Sequence, residues 1–152
     1  MVYHNFKIKN EKGFSLVELI LVLGISALLL SVSDSIYKNF KKNNNLNIVV
    51  NGTVEALRYA SSSALSNKGD SRWGVKINPT EVVIFKGDSY VNRDVSFKES
   101  ISIQSDIKTS GINEIIFEKS TGVTLTPGII TFTNSNNEVK NLNINAKGTI
   151  TY

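Results

Sequence analysis

The sequence predicts an α+β protein: a long N-terminal helix, its first half apolar enough to cross a membrane, packed on an antiparallel β-sheet head. Three observations lead there. Residues 14–33 hold a single charge, Glu18, in an otherwise apolar run. Residues 35–66 continue with apolar side chains at helical spacing, and after Ser71 the pattern changes to short β-branched and aromatic runs divided by turn residues. A chain of 152 residues and 16.7 kDa suffices for one globular domain with an appendage. The expected divisions are a basic segment at 1–13, a hydrophobic helix at 14–34, an amphipathic continuation at 35–69 and a β-rich head at 70–152.

In the basic segment Lys7, Lys9 and Lys12 are opposed only by Glu11. The stretch from Phe14 to Ser33 would be about 30 Å long as a helix, the thickness of a bilayer's hydrocarbon core. An ordinary signal peptide, cut after the small-x-small run Ser31-Val32-Ser33, would also begin with a basic stretch and an apolar one. Against that reading, the run exceeds the usual length of such a region, and Glu18 sits in its first turns, just after Lys12-Gly13-Phe14. Lysines flank both ends, Lys38, Lys41 and Lys42 beyond the run, so charge does not decide orientation.

The helix continues through Ile36, Phe40, Ile48, Val49, Val54, Leu57, Ala60, Ala64 and Leu65. Asn43-Asn44-Asn45 and Asn51-Gly52-Thr53 are poor helix formers in adjacent turns, which predicts a bend or frayed turn near 43–53. Its end is expected at 67–70, with Lys68 complementing the dipole and Gly69 taking the left-handed closing conformation. Strands are expected at 73–77, 82–85, 100–104, 115–117, 129–133, 138–144 and 148–152, punctuated by Asn78-Pro79, Lys86-Gly87-Asp88, Thr121-Gly122, Pro127-Gly128 and 134–137. Pro127 argues against a central-strand position at that residue.

Composition excludes several chemistries. There is no cysteine, hence no disulfide, thiolate metal site or cysteine nucleophile. The single histidine, His4, precedes Gly13, so a chain beginning at Phe14 has no imidazole for catalysis or metal binding. Taking Lys7, Lys9, Lys12 and Glu11 from the 17 basic and 13 acidic residues leaves 14 and 12, and from Asn43 onward the signs are interspersed. Such a head exerts no strong pull on phosphate backbones, which counts against DNA as a partner. Glu114, Glu118 and Asp106 lack ligand spacing and read as solvated surface charges, and Tyr59 and Trp73 read as packing at a helix–sheet junction. No cofactor, metal site or catalytic residue is expected, and the chain reads as a substrate of enzymes only.

The residues Lys12-Gly13-Phe14-Ser15-Leu16-Val17-Glu18, running directly into the apolar helix, closely resemble the leader motif of type IV prepilins. The resemblance implies cleavage by prepilin peptidase between Gly13 and Phe14, N-methylation of Phe14, retention of the helix, and a pilin fold. It also implies that Glu18, one turn past Phe14, meets a neighbouring subunit's Phe14 amine and sets register during filament assembly. A carboxylate at the membrane edge costs about 2 kcal/mol or more without a cation, whereas a helix N-terminus alone favours it by roughly 0.3–1 kcal/mol. The implied partners are the peptidase, other pilin or pseudopilin subunits, the membrane platform protein of the assembly machine, and membrane lipid before assembly. The implied location is a single-pass cytoplasmic-membrane protein with an exported head, then a filament.

Val54 to Ala64, the strand at 73–77, Ile115-Ile116-Phe117 before Gly122 and the final Gly148-Thr149-Ile150-Thr151-Tyr152 more loosely resemble the H-type minor pseudopilins (the GspH/FimT-like group). That likeness implies a low-abundance subunit of a type IV pilus, type II secretion or competence filament. DNA-binding members carry arginines on the terminal Gly-rich strand; here that strand is uncharged. The competing readings are a DNA-uptake pseudopilin acting as a receptor, and a secreted β-domain binding module with an ordinary signal peptide.

Overall fold

The computed structural model describes residues 13–152, apart from the side chains at 31–36, 38 and 39. Residues 1–12, His4 among them, lie outside the described residues. The chain divides into two compact units, Met1–Lys38 and Asn39–Tyr152.

One α-helix is described, α1 (Leu16–Leu65). In the second unit its apolar positions recur at three- and four-residue steps, and Leu46, Val49, Val50, Val54, Leu57, Ala60 and Ala64 are all buried against the β-sheets. This burial corrects the expected frayed turn near 43–53, because helical structure runs through that stretch without a break. Four of those buried side chains lie between 46 and 54, and their transfer from water outweighs the few tenths of a kcal/mol by which each asparagine falls short of a good helix former. The buried Thr53 hydroxyl donates to the Val49 carbonyl at 2.8 Å, so the helix absorbs that polar group as well.

The helix closes two residues earlier than expected, and on a different residue. Asn67, at φ 55°, is the first left-handed residue after α1. Its N–H donates to the Ala64 carbonyl at 3.0 Å, and the Lys68 N–H donates to the Ser63 carbonyl at 2.9 Å. These paired bonds form a Schellman cap with Asn67 in the glycine position. Gly69, at φ 68°, serves the following turn instead.

Eight strands follow: β1 (Trp73–Ile77), β2 (Glu81–Lys86), β3 (Glu99–Ser102), β4 (Ile107–Gly111), β5 (Glu114–Phe117), β6 (Gly128–Asn134), β7 (Val139–Ile144) and β8 (Ile150–Thr151). All pairings are antiparallel, but they build two sheets of four strands rather than one: β3-β2-β1-β5 and β4-β6-β7-β8. The additional strand is β4, a short run in which Ile107 and Thr109 favour a strand and Lys108 and Gly111 do not, and which pairs along β6.

The chain changes sheets within three residues. Ile112 N–H donates to Ile129 O at 3.0 Å in the second sheet, and the next carbonyl, of Asn113, accepts from Ile77 N–H at 2.8 Å in the first. Gly111, at φ 89°, makes the corner; a Cβ there would collide with the Ile129 carbonyl oxygen. Between α1 and the two sheets lies one core built on Trp73, Phe117, Phe132, Leu57, Ile115, Ile130 and Leu142. Pro127 sits just before β6, outside the ladder, as its missing N–H requires.

Candidate functional site

Gly13, Phe14 and Ser15 precede the helix and are exposed. Phe14 is 86% exposed, and a Cβ added to Gly13 would meet nothing within 4 Å. The Gly13–Phe14 pair is therefore exposed and uncrowded by the described residues. Leu19 N–H donates to the Ser15 carbonyl at 3.1 Å, which makes Ser15 the N-cap and starts the helix at Leu16 rather than at Phe14. Glu18 consequently occupies the first turn, exposed, at the Ser-x-x-Glu spacing of a capping box.

The chemistry of this N-terminus follows from charge. An amine freed at Phe14 would place a cation at the positive end of the helix dipole, where a carboxylate is the natural counter-charge. Glu18 is the only acidic residue in the first turn of α1.

Beyond Glu18, Leu19, Ile20, Leu21, Val22, Leu23, Ile25, Leu28, Leu29 and Leu30 are all exposed, Leu23 by 62%. They point in every direction around the helix, so no single face is offered to water. Ser26, the polar residue in their midst, donates its hydroxyl to the Val22 carbonyl at 2.7 Å and leaves no donor facing outward. Among the described residues no helix is long and apolar enough to cross a membrane; the described side chains of this run stop at Leu30.

A family model described as the prokaryotic N-terminal methylation motif matches residues 8–33. The chain carries a type IV prepilin-like leader. The match spans the junction at Gly13-Phe14, Glu18 and the apolar run that follows. Proteins with this leader are processed by prepilin peptidase, held in the membrane and assembled with other pilin subunits. No curated protein and no solved structure matches the chain.

The other residues singled out from sequence fall in the head. Glu114 is half-buried rather than solvated: it pairs with Lys76 at 3.3 Å and accepts the Tyr90 N–H at 2.9 Å. Glu118 forms a forked pair with Arg72, at 2.7 Å to Nη2 and 3.0 Å to Nε, and this pairing holds its carboxyl below the usual range. Both acids are thereby consumed in cross-strand bonding, and among the described residues no cluster of His, Cys, Asp or Glu could hold a metal ion.

Tyr59 and Trp73 pack edge to face at 5.8 Å, and Trp73 packs likewise on Phe97 at 4.9 Å. Lys68, expected to serve the helix dipole, instead donates to the Tyr59 hydroxyl at 2.8 Å with its ammonium over both rings. Trp73 Nε1–H completes the latch by donating to the Lys68 carbonyl at 2.9 Å. Nothing in the sequence announced the contacts of Arg72, Lys68 or Phe97; they depend on other elements of the fold.

Proposed function

We propose that the chain is a minor pilin or pseudopilin, a structural subunit of a type IV pilus or of a related secretion or competence filament. The observation that carries this reading is the methylation-motif match over 8–33, which runs into a helix whose described apolar side chains from Leu19 to Leu30 are exposed. In this reading residues 1–13 are the leader, cut between Gly13 and Phe14, and Phe14 is then N-methylated. Residues 14–34 hold the subunit in the membrane and afterwards in the filament, 35–69 join that helix to the head, and 70–152 are exported. Glu18 meets the Phe14 amine of a neighbouring subunit and sets register between chains. Absence of a cysteine pair and of a proline in the first half of the helix, features of many main-fibre subunits, favours a minor component.

The test is the N-terminus of the membrane-bound product, by intact mass and peptide sequencing, with and without a prepilin peptidase. A product that begins at Phe14 only when the peptidase is present is the expected result. A soluble product beginning at Asp34 overturns the reading in favour of a secreted module.

A further inference from the structure

The second sheet ends on β8, and its free edge borders a groove of about 390 Å³ against the last turns of α1. The groove is lined by Arg58, Ser61, Ser62 and Leu65 from the helix and by residues 148–150. Hydrogen-bond register shows what the edge presents. Asn134 N–H donates to Glu138 O, and Asn145 N–H to Thr149 O, so β7 turns residues 138, 140, 142 and 144 toward β6 and residues 143 and 145 toward β8. Ile150 is thus the non-bonded partner of Ile144, and its N–H and C=O point away from β7, into the groove. β5, at an edge of the other sheet, is covered by its own loop, through Glu118 N–H to Val123 O and Leu125 N–H to Ile116 O.

The walls specify what could lie there. Leu65 is 58% exposed, no carboxylate lines the groove, and the Arg58 guanidinium makes no ion pair or hydrogen bond among the described residues. We propose that this groove takes an extended acidic–apolar peptide segment of a second protein, which adds to β8 through the Ile150 backbone and faces a carboxylate to Arg58 and an apolar side chain to Leu65. Strand addition supplies affinity through main-chain bonds, and alternate side chains supply selectivity. Residues on one face of a strand are two apart, so the acidic and apolar positions of the segment must be separated by one residue. The same pairing would quench an edge that otherwise stands open to unwanted association.

The probe is the peptide acetyl-Thr-Val-Thr-Asp-Thr-Val-Thr-amide, added to the full chain in detergent micelles with isoleucine labelled for amide NMR. Expected is a saturable shift of the Ile150 amide together with slowed hydrogen exchange at that position. A counterpart with lysine for aspartate should bind about fivefold weaker, the upper range of an exposed charge pair. Arg58→Glu should reverse that preference, with native Trp73 fluorescence reporting an intact fold. An Ile150 amide that does not move, equal binding of the two peptides, or undiminished binding of an acidic peptide with methylated backbone amides overturns the proposal. None of these readouts needs a filament or a peptidase, so the result stands apart from the processing test.

Discussion

The two halves of α1 share a secondary structure and owe it to different surroundings. From Leu46 to Ala64 one stripe of the helix is apolar, and the chain's own sheets cover it, leaving Leu57 with 0% exposure. From Leu19 to Leu30 the helix carries apolar side chains on every side, and they stay exposed. Covering all sides of such a helix takes lipid or other subunits, whereas one stripe needs only a head. Sequence propensity ranks the halves the wrong way for autonomous folding: the half with the asparagines and Gly52 is the one the protein completes by itself.

The largest effect that would sharpen this contrast comes from paired truncations. Phe117→Ala and Leu57→Ala in the core should destabilise the head by about 3–5 and 2–5 kcal/mol, read by denaturant unfolding with the single tryptophan as reporter. Leu23→Ala in the apolar half should leave that transition within about 0.5 kcal/mol, as exposed positions do. Comparable losses from both halves would show that the head depends on the apolar half and erase the distinction.

Next in size is the sheet-switching corner. Gly111→Ala asks a left-handed residue to place a Cβ against the Ile129 carbonyl, and a loss of about 2–4 kcal/mol is expected in the same unfolding assay. A smaller change tests the helix cap: Asn67→Ala should cost about 1–2 kcal/mol, since alanine pays the left-handed penalty that asparagine partly escapes, while Asn67→Gly should be neutral or stabilising.

The smallest effect is electrostatic. Arg72 depresses the Glu118 carboxyl, so protonation is favoured by the unfolded chain first. The contribution is complete above the ordinary glutamate value of about 4.3 and fades as the pH falls through the lowered folded value. Glu118→Gln should lower the neutral plateau by the small amount the pair contributes there, flatten the acid limb and converge with the native chain at low pH; an unaltered acid limb would show the pair to be fully screened.

Much of this was legible in one dimension. Seven strands, the long helix and the Gly13-Phe14-Ser15 junction with Glu18 rest on local pattern: period, turn chemistry, and a motif contiguous in the chain. The processing and assembly roles of Gly13, Phe14 and Glu18 rest on that motif and await the N-terminal measurement. What could not be read there is non-local. β4 is short and mixed in strand preference, and its pairing is settled by β6 lying alongside. Helical structure through 43–53 depends on sheets that arrive tens of residues later, and the pairing of Arg72 with Glu118 joins positions 46 apart.

By itself the sequence determined that an apolar helix follows a basic segment bearing a prepilin-like motif and precedes a β-rich, cysteine-free head, because hydrophobic period and motif spacing are properties of neighbouring residues. Only the tertiary structure decided that the head is two sheets joined at Gly111, that Asn67 closes the helix, and that β8 leaves its Ile150 backbone open beside Arg58. Each of those depends on which distant groups meet, and burial and hydrogen bonding are settled only once the chain has folded back on itself.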